Sequence, residues 1–316
     1  MDSQEVTIII PVRDREQIVG RTLESVAAQT RRPLRLILVD NGSIDGTMDV
    51  LKQFKEDNEG DDFPIDILSE PRPGASAARN AGLRSAHTPW VMFFDSDDTM
   101  EPELVEDYMS LISRARGEVD MVVTRCDAVL PSGRCRRLPY FESDDPIKYH
   151  LIDAIIATQR FIAKRELFVG VGGWNETLPR WNDWELGVRL LLANPRIAYM
   201  GDKTPVHTFF TPQSITGTSR FKHCGEWERS IDAIEQSLKQ SDVPDKERYI
   251  RYVEFRRILL AGQYALEGHR QQADQLYRAV YARTRTHRRM KWLFPLLYKH
   301  ISIGLPGASR IAKALL

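Results

Sequence analysis

Short apolar runs alternate with amphipathic stretches along the early part of the chain. Val6–Ile10 is wholly apolar and β-branched up to Pro11, which predicts a buried parallel strand. Ile18, Val19, Thr22, Leu23, Val26 and Ala27 then share one helical face. Leu36–Val39 predicts a second strand, stopped by the turn cluster Asp40-Asn41-Gly42-Ser43. A helix over Thr47–Glu56 follows, with Met48, Leu51 and Phe54 inward, then a strand at Ile65–Leu68. Gly74–Ser85 is small and Ala-rich, a helix able to pack closely on a sheet. Val91–Phe94 is a fourth strand, ended by Asp95-Ser96-Asp97-Asp98, and Glu101–Arg114 a helix. Strand–helix alternation of this kind implies a parallel α/β sheet. Right-handed crossovers then gather the loops after the strands at one sheet edge, where ligands of open α/β sheets bind. The acidic loops at Asp40 and Asp95 both fall there.

The pattern changes at Met121. Met121–Thr124 and Asp127–Leu130 read as strands, Gly170–Trp174 is glycine-rich, Trp184–Leu192 is a short apolar helix, and Pro205–Phe210 reads as an edge strand. This half is expected to be mixed β and α, packed on the first. From Glu226 the chain is helical: Trp227, Ile231, Ile234 and Leu238 form one stripe, and Tyr249–Leu266 and Gln271–Arg283 form a pair joined at Gly268. Residues 258–281 resemble one tetratricopeptide-type unit. A single unit cannot bury its own face, so an ordinary helical hairpin packed on the domain is the preferred reading.

Composition narrows the class. The chain has 316 residues, enough for one large domain or two ordinary ones. With 42% apolar and 28% charged residues it is neither disordered nor collagenous. Cys126, Cys135 and Cys224 form no CxxC pair and lack zinc-ligand spacing, so three free thiols in a reducing compartment are expected. The N-terminus lacks the charge and apolar run of a secretory signal, and no window of about 18 apolar residues suggests a span. A cytoplasmic protein, peripheral at most on the inner face of the cell membrane, is the expectation.

Lys+Arg and Asp+Glu both number 44, which excludes a histone-like protein, but the neutrality is uneven. After Asp274 no acidic residue follows, while Arg278, Arg283, Arg285, Arg288, Arg289, Lys291, Lys299, Arg310 and Lys313 do. The last 42 residues therefore carry +9 and the first 274 carry −9. Trp292, Leu293, Phe294, Leu296, Leu297, Tyr298, Ile301 and Ile303 interleave with these cations. An anionic membrane surface is one partner that fits; packing on the domain or a homodimer interface is the alternative. Nucleic acid is not expected as a partner.

The chemistry centres on Asp95-Ser96-Asp97-Asp98. Three carboxylates within four residues repel, and burying them is costly without a cation. Oxygen ligands of this kind suit Mg²⁺ or Mn²⁺ bridging substrate phosphates. A solvated acidic turn before the next helix is the competing reading.

The segments VTIIIPVRDREQIVGRTLESVAAQT, LILVDNGSIDGT, GASAARNAGL, VMFFDSDD and GGWNETLPRWNDWELGVRL occur in that order. Together they resemble the family 2 glycosyltransferases over roughly residues 5–220, and the resemblance implies the inverting GT-A fold of bacterial glycan-building enzymes. It divides the chain into a transferase domain over 1–222 and a helical extension over 223–316. The nucleotide-binding half of the former would be about 1–120 and the acceptor half about 121–222. By that resemblance Pro11 and Arg13 line the nucleotide pocket, Asp40 accepts a hydrogen bond from the base, and Arg79 lies near the phosphates. Asp45 shapes the same loop or caps a turn.

Asp95 and Asp97 match the DxD pair. Asp95 and Ser96 would face the nucleotide-sugar, and Asp97 or Asp98, with His207, would hold Mn²⁺ or Mg²⁺. Asp183 matches the catalytic base, with Asn182 where the family carries Glu, and Trp181, Asn182 and Trp184 beside the acceptor. Glu185 and Arg189, four apart, suit a salt bridge. Gln213-Ser214-Ile215-Thr216 resembles the family's late segment after His207. The implied reaction moves a sugar from a nucleotide-sugar, UDP-linked by expectation, to a glycan or lipid-linked acceptor. Two rivals are a nucleotidyltransferase, which would want a Gly-rich basic loop in place of Pro11-Val12-Arg13-Asp14, and a non-catalytic nucleotide-sugar binder, hinted at by Asn182.

Overall fold

A computed structural model describes residues 5–116, 118–140, 143–209 and 221–316. The first segment is β1 (Val6–Val12), α1 (Val19–Ala27), β2 (Leu34–Asp40), α2 (Thr47–Asn58), β3 (Ile65–Ser69), α3 (Ala75–Ser85), β4 (Trp90–Phe93), β5 (Thr99–Met100) and α4 (Leu104–Arg114). The alternation expected from the apolar runs is therefore present, with ends shifted by a few residues. The last helix starts at Leu104 rather than Glu101, whose N–H instead bonds the Pro205 carbonyl.

The second stretch contributes β6 (Met121–Val123), β7 (Cys126–Val129), β8 (Cys135–Arg137), α5 (Pro146–Asp153), β9 (Phe161–Lys164), α6 (Arg165–Gly170), α7 (Asn182–Leu192), β10 (Ile197–Tyr199) and β11 (Val206–Phe209). Among the described residues five α-helices follow: α8 (Glu226–Gln240), α9 (Lys246–Leu266), α10 (Arg270–Thr284), α11 (Met290–Ser302) and α12 (Ala308–Leu315).

Seven strands form the central sheet in the order β10-β6-β9-β4-β1-β2-β3. β1 pairs in parallel with β2 on one side and β4 on the other. The strand order thus reverses between β1 and β4, which makes their carboxyl ends the expected ligand crevice. Among the described residues only β9 runs antiparallel in this sheet, inserted between β4 and β6. A second sheet has the order β5-β11-β7-β8. β11, expected at an edge, is interior there, with β5 antiparallel on one side and β7 parallel on the other. That neighbourhood is set by distant chain segments, which a local pattern cannot report.

Period-two alternation sorts the side chains onto two faces. Ile8, Ile10, Leu36, Leu38, Met92 and Phe94 pack with α1 and α4 residues such as Leu23, Leu104 and Tyr108. Ile9, Ile37, Val39, Val91 and Phe93 face the other way and share one core with α3, α7 and the C-terminal helices. α3 approaches closely because Gly82 has no side chain: a Cβ there would strike Ile9. Each fully buried Ile or Leu contributes about 1.5–3 kcal/mol relative to exposure.

The stripe Trp227, Ile231, Ile234 and Leu238 is wholly buried. Arg257 on α9 ties α8 to it through Asp232 and Glu235, both at 2.6 Å, and meets Glu254, which in turn receives Arg283 of α10 at 3.1 Å. Such a network is costly to break at one member, because the remaining charge is stranded in the interior. α9 and α10 are a hairpin packed on the rest of the molecule, as preferred above over a repeat. Among the described residues no helix is long and apolar enough to cross a membrane.

Candidate functional site

The loops after β1 and β2 are laced together by backbone-to-side-chain bonds. Asp14 N–H donates to Ser43 Oγ at 3.0 Å and Arg15 N–H to Thr47 Oγ1 at 2.7 Å. Ile44 N–H returns a bond to Asp14 Oδ1 at 2.9 Å. Asp45 acts as a local cap, accepting from Thr47 N–H and Glu16 N–H, and the Thr47 hydroxyl holds its pKa below the usual range. Arg13 stays exposed at the end of β1, and Pro11 is partly buried in the strand itself.

Asp40 ends β2 and is 5% exposed, its carboxylate accepting from Gly42 N–H at 3.2 Å and Ser43 N–H at 3.3 Å. Its neighbour Asn41 was not singled out by sequence, yet it organises the whole loop. Its amide donates to the Glu70 and Arg72 carbonyls at 2.8 and 2.7 Å, and its Oδ1 accepts from Gly74 N–H at 2.8 Å. An Asn inside the turn cluster after a strand was the available signal.

α3 carries Arg79 into the crevice. Its guanidinium is nearly buried, donates to Asp95 Oδ1 at 2.6 Å and lies 4.3 Å over the Trp174 ring. Ser96, next in the chain after Asp95, is buried. Burial pushes the Asp97 carboxyl up, the Asp95 charge adds to this, and Arg15 and Arg21 oppose it. Asp98 is pushed well up, first by burial and then by Asp95 and Asp97. Two neighbouring carboxyls that burial and like charge push up favour nearby positive charge, and the partly exposed Asp97 has the chemistry of a hard-cation ligand.

The other two expected ligands have protein partners in this structure. Asp98 is 2% exposed and accepts from Phe209 N–H at 3.1 Å. His207 directs Nε2 to Glu101 Oε1 at 2.8 Å. Both contacts follow from the pairing of β11 beside β5, which brings Phe209 N–H to Asp98 and His207 to Glu101. Among the described residues no three His, Cys, Asp or Glu side chains converge as a ligand set. Gln213–Thr216 lies outside the described residues.

Across the crevice, Asp183 sits in the first turn of α7. Trp184 N–H donates to its Oδ1 at 2.8 Å. Burial raises the Asp183 pKa; the Trp184 N–H and Arg79 lower it, and Asp95 raises it. Arg79 therefore pairs with one acidic position and acts electrostatically on another that sequence places far away. Asn182 donates from Nδ2 to Ser76 Oγ at 3.1 Å, which fastens α7 to the start of α3.

Trp181 opens the helix in the left-handed region at φ 47°. It packs 4.8 Å from Trp227 and 5.2 Å from Trp184, with Arg256 of α9 over both indoles, at 5.2 Å from Trp181 and 4.5 Å from Trp184. Trp184, expected beside an acceptor, is fully buried, and its indole N–H donates to the His150 carbonyl at 3.0 Å. It is core, held by α5 and α9. Glu185 and Arg189 form the expected pair, at 2.7 Å, with Arg189 also holding the Val171 and Gly173 carbonyls. Arg256 and His150 were both missed; each lies far from Asp183 in sequence and carries no motif.

Comparison with known proteins follows the same lines. A 102-residue stretch is 34% identical to the glycosyltransferase GlyA of Streptococcus pneumoniae, covering 32% of this chain and 14% of that protein. The chain thus spans a small part of that relative's length. The structure of S. aureus TarS 1-349 in complex with UDP-GlcNAc superposes with a TM-score of 0.65 at 17% identity, over 98% of this chain and 88% of that one. The mannosyltransferase PcManGT from Pyrobaculum calidifontis, in complex with GDP-Man and Mn2+, matches at 0.56 and 17%, over 98% and 83%. These two agree with the mostly parallel GT-A-type fold. The family model described as Glycosyl transferase family 2 matches residues 7–168, just over half of the 316 residues, and the chain belongs to that family.

Proposed function

We propose that the protein transfers a sugar from a nucleotide-sugar, a UDP-sugar first, to an acceptor hydroxyl of a glycan or a lipid-linked glycan, with inversion at the anomeric carbon. The observation that carries this reading is the buried Arg79. Its guanidinium pairs with Asp95 of the acidic cluster after β4 at 2.6 Å, and its charge also acts on Asp183 at the head of α7. The transferase domain is read as residues 1–222, with 223–316 as its helical buttress.

In this reading Asp40, Pro11 and Arg13 bind the nucleoside, and Arg79, Asp95 and Ser96 the diphosphate side. Asp97 would hold Mn²⁺ or Mg²⁺, which offsets the charge that gathers on the leaving diphosphate. The acceptor approaches Asp183 beside Trp181. Its hydroxyl oxygen attacks the anomeric carbon as the bond from that carbon to the diphosphate breaks, and Asp183 takes the hydroxyl proton. Burial serves this step, because a base with a raised pKa draws the proton more strongly at neutral pH. A carboxylate so placed is worth about 10²–10⁴-fold in rate.

Asn182, the departure from the family's carboxylate, is spent on Ser76. It supports the wall of the site and leaves the base in place. The test is release of UDP from UDP-sugars with and without acceptor glycans, in Mn²⁺ and in EDTA. Metal-dependent turnover that Asp183→Asn abolishes supports the assignment. Wild-type turnover by that variant would move the base elsewhere, to Glu185 first.

A further inference from the structure

α11 presents apolar side chains on two sides. Leu293, Phe294, Leu297 and Ile301 are buried in the core shared with α9. Trp292, Leu296 and Ile303 are 70%, 67% and 61% exposed. Successive spacings of four, three and four residues put Trp292, Leu296, Lys299 and Ile303 in one stripe along the helix. Leu305, past the helix end, is also exposed. The apolar set that reads as a single run in sequence is therefore divided between the core and the surface.

Cations border the exposed stripe. Arg285, Arg288 and Arg289 lie in the turn before α11, Lys291 and Lys299 on the helix, and all are exposed. Arg283 pairs with Glu254 and Lys313 with Asp153, but these five meet no carboxylate among the described residues. No acidic residue follows Asp274 to neutralise them.

We infer that this face of α11 docks the protein on an anionic lipid bilayer. An indole, two branched aliphatic side chains and a flanking set of cations match the boundary between headgroups and acyl chains, layer by layer. Thirteen residues with Lys299 inside them lie along that boundary and do not cross it. A second copy of the chain fits less well, since a two-fold contact sets the same cations against one another. Nucleic acid fits less well because Leu296 and Ile303 offer no flat ring to a base. The inference stands apart from the assignment of the transfer site and needs none of its residues.

The test is co-sedimentation of the full-length protein with phosphatidylcholine vesicles, with and without phosphatidylglycerol. Binding is expected only with the anionic lipid and is expected to weaken as salt rises. Arg288→Glu with Lys291→Glu should reduce partitioning by more than about 30-fold, from roughly fivefold for each cation removed. Trp292→Ser with Leu296→Ser should reduce it by at least about tenfold, because both groups leave the acyl boundary. Both pairs sit on the surface, so an unchanged circular dichroism spectrum and melting point identify a folded variant. Equal binding to neutral and anionic vesicles, or to neither, overturns the inference. So does a concentration-dependent dimer that the Trp292→Ser, Leu296→Ser variant abolishes, or tighter binding to single-stranded DNA than to vesicles at equal charge.

Discussion

The loops after β1, β2 and β3 are held by bonds to their neighbours in the sheet edge: Asp14 to Ser43, Arg15 to Thr47, Asn41 to the Glu70 and Arg72 carbonyls. The turn carrying Asp183 is held instead by helices later in the chain, through Trp227 and Arg256, and by His150 of α5, whose Nε2 lies 2.9 Å from the Trp184 carbonyl. The first wall of the crevice is self-supporting at the level of strand ends. The second borrows much of its geometry from Trp227 and Arg256, outside the residues matched by the family model, and the rest from His150 within them. Damage to the C-terminal helices should therefore reach the transfer step without disturbing nucleotide binding.

The sharpest break between the walls is Asp183→Asn. It should lower kcat by about 10²–10⁴-fold while the UDP-sugar Kd, read by calorimetry, stays within a factor of two or so. Comparable losses in both quantities would mean that Asp183 belongs to the donor wall. Asp97→Ala is the mirror experiment. Metal-assisted donor affinity should fall by about 10–100-fold or more, the range known for losses around a metal ligand. Equal UDP affinity of wild type in Mn²⁺ and in EDTA would end the role given to Asp97.

His150 tests the second wall through pH. Its Nδ1 accepts from Ile156 N–H at 3.1 Å, so the proton sits on Nε2 toward Trp184, and burial pulls the pKa down to about 3. The unfolded chain takes up a proton near pH 6.5 that the folded chain refuses, so stability is full above that value and falls as pH drops toward 3. The loss from this group between pH 7 and pH 5 is about 2 kcal/mol. Denaturant titrations at the two pH values should show it, and His150→Gln should flatten that part of the slope. An unchanged slope would show that the imidazole is not the group responsible.

Arg256→Ala is the mildest of the four. Each cation–π contact is worth about 0.5–2 kcal/mol, so kcat should drop by about tenfold with the donor Kd unmoved. Arg256→Lys should restore part of it. A change confined to melting temperature would reduce Arg256 to a structural role.

Much of the first wall is visible in the chain itself. Val6–Ile10 and Leu36–Val39 are strands because continuous branched apolar runs have no other way to be buried at that length. The turn clusters that end the strands are local too, and they place Asp40 and Asp95 at the sheet edge from sequence alone. The Glu185–Arg189 pair follows from a spacing of four.

Other features are not local. β9 is four residues long, Phe161–Lys164, and enters the sheet antiparallel between two strands distant from it in sequence. β11 is interior, and for that reason Asp98 and His207 are engaged by protein partners. Trp181 and Trp184 look alike in sequence, yet one lies partly exposed at the helix start while the other is sealed between α5 and α9. α11 is divided in the same way, with Leu293 inward and Trp292 outward. Sequence determined which segments must bury apolar surface and which turns carry charge, because periodicity and turn chemistry act over a few residues. Tertiary structure alone decided which neighbour each polar or aromatic group meets, because those contacts join segments whose separation along the chain leaves no periodic trace.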